Sequence, residues 1–199
     1  MHNTAVGYDA GLSVSTGTHN ILVGSFAGDA LTSGSQNIAI GVGALSAEDA
    51  NGKNVAIGYE ALVAQDAGAD AYNVAIGFEA GHDISTGAYN SIIGGLAGDA
   101  LTDGIENVLI GHAAGGALTS GGSNVAIGPY ALDSEDGHGK NIAIGRAALG
   151  VQNAGADVYN VAIGYHAGTA VTTGASNTIL GGLAGDALTT GSYNIEIGR

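Results

Sequence analysis

A nine-residue phrase recurs along this chain at an almost constant interval. NVAIGYEAL, beginning at Asn54, returns as NVAIGFEAG at Asn73 and as NVAIGYHAG at Asn160. Self-similarity with a period near 20 residues is typical of a solenoid, whose coils bury their apolar side chains by stacking on one another. The units begin at Asn3, Asn20, Asn37, Asn54, Asn73, Asn90, Asn107, Asn124, Asn141, Asn160, Asn177 and Asn194. We therefore expect residues 1–199 to form a single β-solenoid repeat domain of about eleven coils.

Two further columns, meaning positions that recur at the same place in every unit, indicate the shape of a coil. A Gly follows every Asn by four residues, and an Ala follows that Gly by three in every complete unit. A recurrent Gly is typical of a corner, and a recurrent Ala of a crowded interior position. The second turn signal of many units, such as LTSG or VTTG, indicates a second corner. The structural columns include Asn54, Gly58, Ala61, Asn73, Gly77, Ala80, Asn160, Gly164 and Ala167.

We predict an all-β fold, a parallel β-solenoid or β-roll of 17–19-residue coils with two short strands in each coil. The Asn column has two interpretations within this fold. Stacked Asn side chains can form an amide ladder from coil to coil, or each can cap the turn that enters its strand. Both interpretations are structural.

The three residues after each Asn are all apolar in eight of the twelve units, so both faces of the predicted strand are covered. One face can line the roll, and the other then meets a second copy of the chain. We assign the middle column to this interface, because its larger members would otherwise leave exposed hydrophobic side chains on a monomer. The alternative is a small residue tolerated on an exposed face. The predicted interface residues are Leu22, Ala56, Ala75, Ile92, Leu109, Ala126 and Ile179.

A longer duplication overlies the short repeat. The units at Asn37 and Asn54 match those at Asn124 and Asn141, which lie 87 residues further on. The units at Asn54 and Asn141 both have 19 residues instead of 17. Insertions at one corner predict a decorated face of the roll.

Composition excludes several functions. The formal charge of −14 disfavours nucleic acid and anionic lipid as partners. We expect no signal peptide and no membrane insertion, since the N-terminus lacks a signal pattern and no apolar run is long enough to span a bilayer. The six His residues are spread over five columns and the chain has no Cys. Without a catalytic motif, we expect no enzyme activity and no cofactor.

Acidic residues concentrate in the two duplicated segments, as Glu48, Asp49, Asp66 and Asp70 in one and Asp133, Glu135, Asp136 and Asp157 in the other. Clustered carboxylates can bind Ca²⁺, and the candidate ligands are Asp49, Asp66, Asp70 and Asp136. The chain lacks the spacing of known calcium β-rolls, so a solvated acidic rim is the simpler interpretation.

Two other columns suggest surface functions. Ice-binding solenoids present flat Thr arrays, but Asp49, Asp66, Asp136 and Asn153 interrupt the column that contains Thr32 and Thr102. Aromatic residues follow the corner Gly or precede the Asn, where they can cover the corners or contact a carbohydrate or protein receptor. They are Tyr8, Tyr59, Phe78 and Tyr165, and Tyr72, Tyr89, Tyr159 and Tyr193.

The phrases NVAIGYEA, NVAIGFEA and NTAVGYDAG resemble the head repeats of trimeric autotransporter adhesins and the repeats of tail-fibre proteins of tailed phages. The resemblance covers the whole chain and implies a left-handed β-roll packed as a homotrimer. It also implies an extracellular fibre or adhesin module, on a virion appendage or a cell surface, that presents corners to a glycan or protein receptor. Since no polar caps are visible, we expect the chain to be either a segment of a longer fibre or a unit that joins others end to end. The alternatives are a self-assembling filament subunit and an ice-binding solenoid.

Overall fold

One three-residue strand from each repeat joins a parallel sheet that runs along the molecule. The structure is a computed structural model and describes residues 2–199. Equivalent residues pair in register, so Ala56 lies opposite Ala75. The twelve strands found within the described residues are β1 (Thr4–Val6), β2 (Ile21–Val23), β3 (Ile38–Ile40), β4 (Val55–Ile57), β5 (Val74–Ile76), β6 (Ser91–Ile93), β7 (Val108–Ile110), β8 (Val125–Ile127), β9 (Ile142–Ile144), β10 (Val161–Ile163), β11 (Thr178–Leu180) and β12 (Ile195–Ile197). The predicted parallel β-solenoid is confirmed, and its left-handed sense stays a prediction.

The expectation of two strands per coil is wrong. Residues 2–199 hold one strand in each repeat, and turns form the remaining sides. After β4, φ is positive at every second residue, with values of 141° at Gly58, 49° at Glu60 and 52° at Leu62. Because this alternation is incompatible with extended backbone, a second strand cannot form there. The turns still bond to the next coil, as the Leu62 N–H does to the Ala80 carbonyl at 3.2 Å.

The Asn column forms a continuous ladder inside the roll. At each of its eleven steps the backbone N–H of one Asn donates to Oδ1 of the preceding Asn, at 2.8–3.2 Å. The Asn90 Nδ2 also donates to the Gly104 carbonyl across its own coil, at 2.8 Å. It contacts Asn73 Oδ1 at 3.2 Å as well. Each buried Asn except Asn54 and Asn141 thus connects two coils and closes one turn, which combines both interpretations of the column.

Small side chains make the roll narrow. Ala61, Ala80 and Ala167 are fully buried, as are Asn54, Asn73 and Asn160. Gly58, Gly77 and Gly164 lie at corners with positive φ. The middle residue of each strand from β2 to β11 is buried in the same interior, where it packs with side chains from the turns.

The residues at two interior columns vary together, because their side chains fill the same space. Counted from the Asn as zero, position 8 is Gly in seven coils, where position 11 is Val, Ile or Leu. A Cβ on Gly28 would lie 2.8 Å from Leu31 Cδ1, so the two positions compete for one space. In the other four coils position 8 is a buried Leu and position 11 a buried Glu or Gln. The four pairs are Leu45 with Glu48, Leu62 with Gln65, Leu132 with Glu135, and Leu149 with Gln152.

Candidate functional site

The outward face of the sheet carries an apolar band, which we name the outer stripe. It consists of the first and third residues of β1–β12. All of these are Val, Ile or Leu except Thr4, Ser91 and Thr178. Residues that keep 36–42% of their surface exposed are Ile21, Ile40, Ile76, Ile93, Ile142 and Ile163. A continuous exposed band of this kind is typical of an interaction surface.

The predicted interface column is corrected by this arrangement. Leu22, Ala56, Ala75, Ile92, Leu109, Ala126 and Ile179 are all fully buried inside their own chain. Successive side chains of a strand point to opposite faces of the sheet. The middle residue therefore faces inward, and its two neighbours face outward. The inference that both faces of the strand carry apolar side chains is consistent with the structure. The error was to assign the middle column to the outer face and the first and third columns to the interior.

Charge is distributed unevenly around the outer stripe. The column that precedes the Asn and the column that follows the corner Gly flank the strands on either side. These two columns contain one of the 18 acidic residues, Glu106. They also contain all four basic residues, which are Lys53, Lys140, Arg146 and Arg199. The apolar band and its borders are therefore nearly free of the negative charge that covers the other sides.

Aromatic side chains line both borders of the outer stripe. Tyr59 and Phe78 stack with their ring centroids 5.3 Å apart, and Tyr72 and Tyr89 stack at 5.5 Å. Neighbouring coils thus cover part of each ring, while 44–58% of each of these four side chains stays exposed. The remaining predicted corner aromatics, Tyr8, Tyr159, Tyr165 and Tyr193, are also exposed. They can contact a partner through one ring face or edge.

The four calcium candidates occupy different surroundings. Asp49 and Asp66 lie beside the buried Glu48, with one carboxylate oxygen of each residue within 4.8 Å of the others. In the other duplicated segment, Asp136 lies beside Glu135 and His138 within the same distance. Asp70 belongs to a separate contact, because its carboxylate accepts a hydrogen bond from Lys53 Nζ. Sequence reasoning counted Glu48 and Glu135 among the clustered acidic residues but did not predict their burial, although their column is apolar in seven coils.

The acidic clusters have contrasting electrostatics. Burial raises the pKa of Glu48, the Asn51 N–H opposes this change, and the charges of Asp66 and Asp49 raise the pKa further. The Lys53 hydrogen bond lowers the pKa of Asp70. The cluster around Glu48 thus concentrates negative charge, while Asp70 is neutralised by its partner.

A shallow cavity of about 240 Å³ lies on another side of the roll and is lined by Glu79, His82, Asp83 and Asp99. His82 contacts Asp83 through Nδ1 at 2.6 Å and Glu60 through Nε2 at 3.5 Å. Burial alone would lower the pKa of His82, but the Asp83 hydrogen bond and the neighbouring carboxylates raise it overall. This arrangement holds the imidazole in an acidic surrounding.

Four of the five Thr hydroxyl groups in the Thr column, all except that of Thr189, are already hydrogen-bonded. The Thr32, Thr102 and Thr172 hydroxyls donate to backbone carbonyls of the next coil, at 3.0, 3.1 and 3.3 Å. Since the hydroxyl hydrogens are used between coils, they are not available to organise water outside the roll. This bonding disfavours the ice-binding alternative.

Within residues 2–199 there is no helix with the length and apolar character that a bilayer crossing needs. Comparisons with protein-family models, with curated proteins and with solved structures found no match. The functional assignment therefore rests on the geometry of the chain itself.

Proposed function

We propose that this chain is a structural fibre or adhesin module whose outer stripe packs against further copies of the same chain. The observation that carries the proposal is the apolar stripe along all twelve strands, which only Thr4, Ser91 and Thr178 interrupt. The chain has a formal charge of −14, but one long face carries almost none of its acidic residues. Two copies can therefore pack through this face without strong repulsion between their negative charges. The resemblance to adhesin heads and phage tail fibres adds three as the expected number of copies.

The size of the face is sufficient for a stable assembly. Strands about 4.8 Å apart make it about 53 Å long, and residue steps of about 3.3 Å make the stripe with its borders about 20 Å wide. Its area is therefore about 1,000 Å² per copy, compared with about 800 Å² per partner in a typical stable interface. Burying this face would also remove the exposed Ile side chains from water, which stabilises the assembly by about 25 cal/mol for each Å² of apolar surface buried.

A rigid rod of this kind serves as a shaft or head that presents its corners. Coils of one design stack in register, so length is gained by duplication while the corner residues vary. The exposed aromatic borders, with pairs such as Tyr59 and Phe78, are suited to contact a glycan or protein receptor. We place the module outside the cell, on a virion appendage or a cell surface, with a structural rather than a catalytic role.

The test is a pair of charged variants compared with the unmodified chain. Ile76→Glu with Ile93→Glu puts two carboxylates at paired positions of the outer stripe. The control, Ser33→Glu with Thr190→Glu, adds the same charge at exposed turn positions. We expect the stripe variant to become a folded monomer by circular dichroism and light scattering, while the control keeps the assembled mass. An assembly unaffected by the stripe variant contradicts the proposal.

A further inference from the structure

The interior column at position 11 contains two buried carboxylates in otherwise apolar surroundings. Seven coils place Val, Ile or Leu there, and the four exceptions are Glu48, Gln65, Glu135 and Gln152. All four exceptions are fully buried. A buried carboxylate is costly unless hydrogen bonds or a counter-charge compensate for its lost hydration.

The two Gln side chains satisfy their hydrogen-bonding groups. Gln65 Oε1 accepts from Asn73 Nδ2 at 2.6 Å, and its Nε2 donates to the Ser85 carbonyl at 3.0 Å. Gln152 makes the equivalent bonds to Asn160 and Thr172, at 2.7 and 3.1 Å. An amide at this position therefore fits the coil without any added group.

The two Glu side chains are only half satisfied. Glu48 Oε1 accepts from the Asn51 N–H at 2.9 Å, but Oε2 has no hydrogen-bond partner among the described residues. Glu135 repeats the pattern, since Nδ1 of His138 lies 3.3 Å from Oε1 and the buried Oε2 finds no partner within residues 2–199. The same buried oxygen is orphaned in both duplicated segments, and a bound ion is one way to satisfy it.

The surroundings of Glu48 indicate what that ligand is. Asp49 and Asp66 each bring a carboxylate oxygen within 4.8 Å of a Glu48 oxygen, so three negative charges converge. The neighbouring Lys53 contacts Asp70 and Tyr72 instead. We propose that Glu48, Asp49 and Asp66 bind a divalent cation of the calcium type. Hard cations prefer several carboxylate oxygens, and a +2 charge offsets the mutual repulsion of these three groups.

The cation would connect neighbouring coils. Glu48 and Asp49 belong to the coil that begins at Asn37, and Asp66 belongs to the next coil. That next coil has two extra residues. Its Asn54 Nδ2 has no partner in the described part of the chain, whereas Asn90 Nδ2 donates to a carbonyl on the opposite side of its own coil. The site therefore lies beside a coil that lacks one of its closing hydrogen bonds.

The second duplicated segment provides an altered copy of the site. Glu135 and Asp136 match Glu48 and Asp49, but Asn153 replaces Asp66 and His138 replaces Asn51. One imidazole nitrogen and two carboxylates form a softer ligand set with less charge. We expect this copy to bind Ca²⁺ at least tenfold more weakly than the Glu48 site.

The experiment is calorimetric titration of CaCl₂ into the full chain after dialysis against a chelator. We expect one Ca²⁺ per chain with a dissociation constant of about 10⁻⁴ M, typical of extracellular sites, and a higher unfolding temperature with Ca²⁺. Glu48→Gln should abolish both effects, and it should fold because Gln65 shows that the coil accommodates an amide. Asp66→Asn should weaken binding at least tenfold, whereas Asp103→Asn, at an exposed position outside both clusters, should change neither effect.

Two results would overturn the proposal. The first is an unmodified chain that shows neither binding heat nor a Ca²⁺-dependent unfolding temperature. Glu48 Oε2 would then be hydrogen-bonded only to water or to Asn54. The second is Ca²⁺ binding that persists in Glu48→Gln, which would place the cation elsewhere. Both readouts are independent of assembly through the outer stripe, so they separate this site from the proposed function.

Discussion

A Cβ atom on Gly41 would lie 2.1 Å from the carbonyl oxygen of Gly58 in the next coil. Real Cβ atoms do not approach backbone oxygens this closely, so coil stacking itself excludes a side chain here. The φ angle of Gly41 is also positive, at 142°, which disfavours any L-residue with a side chain. The corner Gly column is thus set by two independent constraints, conformation and contact.

Gly58→Ala should destabilise the roll by about 3 kcal/mol or more, because the new Cβ would meet the Gly77 carbonyl oxygen at 2.1 Å. Gly68→Ala is the matched control, since φ is positive there but open space surrounds its Cβ position. The control should lose only about 1 kcal/mol from backbone strain. Urea unfolding of both variants measures the difference, and equal losses would disprove the contact argument.

Asn73→Ala should cost about 3 kcal/mol by leaving several buried groups without partners. Asn73 Nδ2 donates to the Gly87 carbonyl at 2.7 Å, and Oδ1 accepts from the Asn90 N–H at 2.8 Å. Asn153→Ala, at an exposed position, should change stability by less than about 0.5 kcal/mol. Chemical denaturation compares the two, and a similar small loss in both would show that the ladder contributes little.

Leu62→Gly and Gln65→Leu should each destabilise the protein, but the double variant should be more stable than the sum of the two losses predicts. The single changes leave a cavity and overfill the interior respectively, whereas the double variant reproduces the Gly and Leu pattern of other coils. A double-mutant cycle should give a coupling free energy of about 1 kcal/mol or more. Additive losses would contradict the exchange of volume between positions 8 and 11.

Asp99→Asn should stabilise the protein at neutral pH and have no such effect in acid. Burial raises the pKa of Asp99 above its ordinary value of 3.8, although two backbone N–H groups oppose the change and Asp83 adds to it. A carboxyl group with a raised folded-state pKa destabilises the ionised protein, and this penalty disappears as the pH falls below the unfolded-state value. Unfolding curves at pH 7 and pH 3 provide the measurement. A benefit of equal size at both pH values would show that ionisation is not the cause.

The repeat period alone predicted the fold, because columns of Asn, Gly and Ala at fixed spacing leave few alternatives to stacked coils. The second strand could not be excluded in the same way. Positive φ occurs at non-Gly residues such as Glu60 and Leu62, where sequence gives no warning. The sign of φ therefore alternates from residue to residue in a region whose composition still suggests an extended strand.

The orientation of the strand was predicted wrongly because Ala is common on surfaces as well as in narrow interiors. A signal for the correct face was nevertheless present. Leu22 and Ile92 occur in the middle column only where position 8 is Gly in the same coil and the preceding coil. In the structure a Cβ on Gly11 would lie 2.6 Å from Leu22 Cδ1, which shows why the two columns covary. Such covariation between columns identifies an interior pair.

The burial of Glu48 and Glu135 was missed for a different reason. Glu48 lies in the sequence SAEDANGK, where hydrophilic residues suggest a solvated turn. Its burial follows from the coil register, since it occupies the column of Leu31 and Leu101. Comparing equivalent positions across coils, rather than local hydrophilicity, would have placed Glu48 inside the roll.

The mass of the purified, unmodified chain in solution tests the central claim most directly. Light scattering over a hundredfold range of concentration should give a constant mass near three times the 19.2 kDa of one chain. A constant mass of one chain would contradict burial of the outer stripe between copies. A mass that grows steadily with concentration would also contradict the closed assembly, and would favour an end-to-end filament.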